Sequence, residues 1–163
     1  MGAMKNNISR VLIPYGAVVL GLIGLAVSFY LGFKEYTGAE IGTCPIFGAG
    51  CGDVLHSKYS KLFGIPLSYY GILFYTCVTI FGGLYAITQK RLFRQLIAIF
   101  ALVGFVDSVG FVYIQTALIG AYCFYCIISA ITTTLLFFLM LPTIIDKVLR
   151  VAENGIHPRN NDT

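Results

Sequence analysis

Four apolar stretches constrain this chain more than anything else in it. Each is close to the roughly 20 residues that a helix needs to cross a bilayer core. They run Val11–Phe33, about Tyr69–Thr88, about Gln95–Ala117, and from Cys123 or Cys126 to Ile145. The first two carry no charge, and the third carries a single acid, Asp107. Hydrophobic residues make up 58% of the chain and charged residues 11%, against roughly 25% charged in a soluble domain. Such a chain cannot cover itself with polar surface, so its solvent is lipid. The expectation is an all-α integral membrane protein, a bundle of four transmembrane helices.

Basic residues set the orientation. Lys5 and Arg10 precede the first span, Lys90, Arg91 and Arg94 lie in the second connection, and Lys147, Arg150 and Arg159 follow the fourth. Lys34, Lys58 and Lys61 lie in the first connection, among Glu35, Glu40 and Asp53. The positive-inside rule then puts both termini in the cytoplasm. Residues 1–10 read as a cytoplasmic N-terminus, with "MGAM" at 1–4 an added leader. The four-helix domain is 11–145, with spans 11–33, 69–88, 95–117 and 123–145 and an extracytoplasmic loop 34–68. Residues 146–163 read as a cytoplasmic tail. The net charge of +4 is small and scattered, so nucleic acid is not expected as a partner. Membrane lipid is, and the chain reads as a monomer.

A loop as long as 34–68 is functional or disordered, and its apolar content speaks against disorder. "DVLHSKYSKLF" is expected to form a short amphipathic helix from Asp53, an acceptable N-cap, lying on the membrane and capping the bundle. Gly48, Gly50 and Gly52 leave the stretch before it free to move.

On this topology two cysteine pairs face outward: Cys44 and Cys51 in the loop, Cys123 and Cys126 at the outer end of the last span. Extracytoplasmic compartments permit disulfides. A Cys-x-x-Cys at a helix N-terminus sets both sulfurs on one face, where free N–H groups stabilise a thiolate. Two such pairs on one side suggest a relay by thiol–disulfide exchange: one pair meets a protein, the other a hydrophobic acceptor for which a quinone is the ordinary candidate. Static disulfides bracing a scaffold, or a four-thiolate metal site, remain open on the residues alone. Cys77 lies within the second span and reads as a small buried hydrophobe. His56 reads as an exposed loop histidine. An unpaired acid in a span is unfavourable by roughly 2.5 kcal/mol or more, so Asp107 is expected to bond a neighbour such as Ser28 or Tyr30.

"FGIPLSYYG" (63–71), "YIQTALIGAYCFYC" (113–126) and the spacing of Cys44, Cys51 and Ser57 give the chain a family likeness. It resembles the vitamin K epoxide reductase family, in particular its bacterial, disulfide-forming branch, across about Val11–Ile145. The resemblance implies a four-helix bundle around a quinone of ubiquinone, menaquinone or vitamin K type. Cys123 and Cys126 would be the pair facing the quinone, and Cys44 and Cys51 the pair that feeds it. Ser57 corresponds to a serine near the quinone head group in relatives. Phe63, Tyr113 and Phe124 are the aromatic residues set beside it, although aromatics at span ends ordinarily form an interfacial belt. Ala130 stands where vertebrate members carry a tyrosine associated with vitamin K binding, which separates epoxide reduction from what carries over. Many bacterial relatives have a fused thioredoxin-like domain; here such a dithiol protein is expected in trans.

The reading is therefore a quinone-dependent thiol–disulfide oxidoreductase of a bacterial inner membrane, supporting disulfide bond formation. Vitamin K quinone or epoxide reduction, and a disulfide-braced scaffold, are the alternatives.

Overall fold

Lipid offers the backbone no hydrogen-bond partners, so an apolar run must close its own bonds as helix. The computed structural model describes residues 2–37, 54, 57, 60–62 and 64–156, and most of them are helical. The helices are α1 (Gly2–Thr37), α2 (Leu67–Thr88), α3 (Arg91–Tyr113) and α4 (Phe124–Ile156). All four expected runs appear as helices long and apolar enough to cross a membrane, with windows Leu12–Thr37, Leu67–Thr88, Arg91–Ile119 and Phe124–Asp146. Each helix packs on the next, and α1 also packs on α4, so the bundle closes into a ring.

The short connections explain the antiparallel order. Only Gln89 and Lys90 separate α2 from α3. Gln89 turns the chain in the left-handed region at φ 51°, and its N–H reaches back to the Tyr85 carbonyl at 2.9 Å. The α3–α4 link begins with a π-helical turn, Ile114–Ile119, which the sequence reading did not foresee. It ends at Gly120, where φ is 69° and the N–H bonds the Gln115 carbonyl at 2.9 Å.

The end of the first connection also differs from expectation. The helix expected over Asp53–Phe63 falls largely outside the described residues. Its last part is a strand instead: Lys61–Leu62 (β1) pairs antiparallel with Ile65–Pro66 (β2) around Gly64. Gly64 has φ 83°, the left-handed conformation that favours glycine, and this turn overrides any helical continuation. Before it, Ser57 N–H bonds the Val54 carbonyl and Ser60 N–H bonds the Ser57 carbonyl, in successive tight turns.

Packing divides the bundle along its length. Towards the basic α2–α3 connection, Ile13, Ala17, Val78, Tyr85, Ile97, Ala98, Ala101, Leu136 and Met140 form a continuous buried core. Towards the cysteines the helices part around a cavity. Tyr75 ties the two regions together. It is 2% exposed, its ring lies against Gly24 of α1, and its hydroxyl meets the Ser129 Oγ of α4 at 2.7 Å.

A Cβ at Gly24 would overlap the Tyr75 ring, which is buried and anchored at its far end. Gly24→Ala should therefore destabilise the bundle by about 1–3 kcal/mol, read as a lower unfolding midpoint in detergent. Gly83, with nothing within 4 Å of a built Cβ, serves as control: Gly83→Ala should be neutral or stabilising by up to about 1 kcal/mol. Equal midpoints for the two variants would contradict this packing.

Candidate active site at the cysteine end of the bundle

Cys123 is the residue at which α4 begins. Its carbonyl accepts the first intrahelical bond, from Ile127 N–H at 3.0 Å, which makes it the N-cap. An N-cap side chain ordinarily accepts a bond from the N–H two or three residues on. Here the Cys123 sulfur takes that part, accepting from the N–H groups of Tyr125 and Cys126.

Cys123 and Cys126 are both free thiols in hydrogen-bonding contact. The Cys126 thiol is the strongest influence on Cys123. Burial pushes the Cys123 thiol up, the two helix-start N–H groups pull it down, and the result is a thiol lowered to about 7. A thiolate held by the start of a helix is what the Cys-x-x-Cys spacing led us to expect.

The two sulfurs face different surroundings. Cys123 is wholly buried and packs against Val54 of the first connection, with Ile119, Ala121 and Phe124 around them. Cys126 lies in the wall of the cavity. That cavity encloses about 350 Å³, within the usual range for a small-molecule site. Its walls are mainly apolar, with Val27, Leu31, Phe74, Phe100, Val103 and Phe111 among them. Polar groups punctuate it: Ser28, Ser60, Ser68, Asp107, Gln115 and Ser129. Two hydrogen bonds brace its sides, Ser108 Oγ to Thr133 Oγ1 at 2.6 Å and Ser68 Oγ to the Glu35 carboxylate at 3.0 Å. A second, almost wholly apolar groove of about 410 Å³ lies between α3 and α4, lined by Ile127, Leu135 and Phe138. The two spaces share Val112, Gln115 and Ala130.

The residues singled out from sequence fall as follows. Cys123 and Cys126 meet at the helix start. Cys44, Cys51, Phe63 and His56 lie outside the described residues. Ser57 donates its hydroxyl to the Val54 carbonyl at 2.7 Å, while Val54 and Ser60 on either side of it line the cavity. Phe124 packs beside Cys123 with its ring edge-on to Tyr125, and Tyr113 is exposed; neither lines the cavity. Asp107 does line it. Among the described residues no hydrogen bond joins Asp107 to Ser28 or Tyr30, the partners expected from sequence. Tyr30 instead packs against Tyr125, the rings tilted at 39° with centres 5.0 Å apart.

Sequence reasoning passed over Gln115. It is 2% exposed, its Oε1 accepts the Cys123 N–H at 3.2 Å, and it also bonds the Cys126 thiol. A signal existed. An uncharged polar side chain near the end of a span needs a partner, and Gln115 stands eight positions before Cys123, within reach across a tight connection.

A mainly apolar cavity of this size, with one thiol of the pair in its wall and an apolar groove beside it, can hold a small hydrophobic molecule. The comparisons with known proteins agree with the pattern. Residues 16–141 match the vitamin K epoxide reductase family. The chain is 38% identical over 122 residues to the thiol-disulfide oxidoreductase LTO1 of Arabidopsis thaliana. That alignment covers 68% of this chain and 31% of the relative, so the chain spans about a third of the plant protein. With the four apolar helices and the paired thiols at the start of the last, this match shows that the chain is an integral membrane protein belonging to the vitamin K epoxide reductase family.

Proposed function

We propose that this protein is a membrane thiol–disulfide oxidoreductase that accepts electrons from an extracytoplasmic, thioredoxin-like dithiol protein and delivers them to a membrane quinone. Cys44 and Cys51 receive the electrons and pass them to Cys123 and Cys126. The observation that carries this reading is the division of surroundings at the helix start. Cys123 lies under Val54 of the connecting segment, and Cys126 lies in the cavity wall. Each thiol is thereby offered to a different partner. The relative's printed name supports thiol–disulfide chemistry, and the charge asymmetry of the connections supports an outward-facing site; the membrane proposed is a bacterial inner membrane.

The steps follow from the residues. A loop thiolate attacks the Cys123 sulfur of the Cys123–Cys126 disulfide, and Cys126 leaves as thiolate. A second loop thiol then releases Cys123, so the loop pair becomes a disulfide and the helix pair a dithiol. The chemistry that a quinone in the cavity supplies is acceptance of two electrons and two protons. Val27, Leu31, Phe74 and Phe100 exclude water around the ring, and the groove past Val112 and Ala130 offers an isoprenoid tail a way out to lipid. Cys123, held as thiolate near neutral pH by the Cys126 thiol and the N–H groups of the helix start, closes the disulfide onto Cys126. Ala130 puts no hydroxyl into the cavity wall, so vitamin K quinone or epoxide reduction remains the second reading. A scaffold braced by static disulfides would have no use for a cavity beside Cys126.

Quinone reduction followed by absorbance with two reductants tests the relay. Cys44→Ala or Cys51→Ala should abolish turnover with a reduced thioredoxin-like protein while sparing much of the turnover with dithiothreitol. Cys126→Ala should abolish both. An active Cys126 variant, or equal losses in loop and helix variants with both reductants, would refute the order.

The state of Cys123 gives a pH test. Because its thiol is lowered, the thiolate is present above about pH 7 and lost as pH falls below it. Alkylation of the reduced protein by iodoacetamide, read at Cys123 by peptide mass, should rise with a midpoint about 1.5 units below the roughly 8.5 of a free cysteine. In Cys126→Ala, which removes the largest lowering contact, the midpoint should return to the ordinary range or above. An unchanged midpoint in that variant would contradict the assignment.

A further inference from the structure

The cavity wall holds a carboxyl group that thiol exchange does not use. Asp107 belongs to α3, inside the third span, and lines the cavity with Gly104, Ser108 and Phe111. An acid in a span ordinarily pairs with a neighbour or serves a pathway. A structural role would therefore give Asp107 a partner. Among the described residues no hydrogen bond or ion pair engages it, and none of those lining the cavity is a lysine or arginine. The other acid of the wall is already engaged: the Glu35 carboxylate, in the last turn of α1, accepts the Ser68 Oγ at 3.0 Å.

Its place in the cavity is set by the next residue. Ser108 Oγ meets Thr133 Oγ1 at 2.6 Å, so this level of α3 lies against Thr133 of α4. Thr133 stands seven residues beyond Cys126, two turns or about 10 Å further along the helix. One turn past Asp107 the helices close in. Gly104 is buried, and a Cβ there would overlap the Phe74 ring and crowd Thr133. The cavity thus carries a thiol towards one end and an acid towards the other, with Leu31, Phe74 and Val103 in the walls between.

The transfer of electrons to a quinone leaves one proton to be found. A dithiol that closes to a disulfide gives up two electrons, and the acceptor takes two protons with them. One thiol of the pair reacts as thiolate, the part played by Cys123, so its proton has already gone to water. Cys126 brings a single proton to the cavity. The other has to come from a second group in the wall. We propose that Asp107 is the catalytic acid of the cavity, delivering to the acceptor the one proton that the thiol pair does not supply. The proposal rests on the quinone-linked exchange put forward above. In the balanced step the S–S bond forms between Cys123 and Cys126, and the Cys126 S–H and Asp107 O–H bonds break. Two electrons and these two protons go to the quinone, which leaves as hydroquinone. One negative charge enters on Cys123 and one remains on Asp107, which water reprotonates once the product has gone.

The test uses the full chain in detergent. Reduced protein is mixed rapidly with a short-tailed ubiquinone, and quinone absorbance is followed. Asp107→Asn keeps the shape and loses the acid; it should slow this step about a hundredfold, and Asp107→Glu should recover about tenfold of the loss. Both variants should match the parent in their equilibrium with reduced and oxidised dithiothreitol, an exchange that does not use the acid. An Asn variant as fast as the parent would overturn the proposal, as would an equal disturbance of the dithiothreitol equilibrium. A second readout needs no turnover. Dicyclohexylcarbodiimide, an apolar reagent for carboxyl groups that hold their proton, should modify Asp107 in the parent, read by peptide mass, and excess quinone should suppress the adduct. An Asp107 left unmodified, or modified alike with and without quinone, would overturn the proposal whether or not the Asn variant folds. A parent that reduces no quinone would sink the proposed function and this proposal with it; an active parent with an equally active Asn variant would sink this proposal alone.

Discussion

The free N–H groups at the start of α4 are the constraint around which the cysteine end is organised. A helix that begins near the edge of a membrane cannot leave its first donors without acceptors, because the missing bonds would cost several kcal/mol. This chain meets the demand with a sulfur where other proteins use serine or aspartate, and with a glutamine from the neighbouring helix. Both solutions have chemical consequences. The sulfur that caps the helix, bonded also by the Cys126 thiol, becomes a thiolate near neutral pH, and the glutamine that completes the cap ties the start of α4 to the turn before it. Structural necessity and reactivity are served by one set of bonds.

The rest of the bundle keeps that arrangement in place while leaving room beside it. Small residues let the helices close at the basic end, where Ala17, Ala98 and Ala101 lie in the core. At the other end the helices are held apart by side chains that bond across the gap, Tyr75 to Ser129 and Ser108 to Thr133. These contacts are hydrogen bonds rather than apolar packing, so they fix the spacing without filling the space. The cavity is therefore a built feature: its walls are braced, and its apolar lining carries polar groups at only a few points. Asp107 is one of them, on the cavity side of α3 with Gly104, Ser108 and Phe111, and Gln115 follows them in the π-turn beyond.

Much of this was legible from the sequence because lipid imposes simple rules. Apolar runs of about 20 residues form helices long enough to cross a bilayer, and all four did. The paired cysteines were legible through their spacing and their place at the head of the last run. What was not legible arises from contacts between elements. The π-turn at Ile114–Ile119 has no periodic signature, since it depends on how α3 must end to meet α4. Gln115 drew no notice because it carries no charge, whereas Asp107 did and was assigned partners it does not have. The β1–β2 hairpin was masked by apolar composition that reads equally well as helix, and the glycine that decides the matter, Gly64, acts through a single left-handed residue.

The account stands on the claim that the cavity beside Cys126 is where the dithiol meets its acceptor. A photoreactive azidoquinone, irradiated with the purified protein and mapped by peptide mass, tests this directly. The account predicts adducts in the α3 and α4 segments that line the cavity, 100–115 and 126–133, suppressed by excess unmodified quinone. Adducts confined to residues that face away from it, such as Ile80, Ile87 and Ile99, or labelling that excess quinone does not suppress, would contradict it.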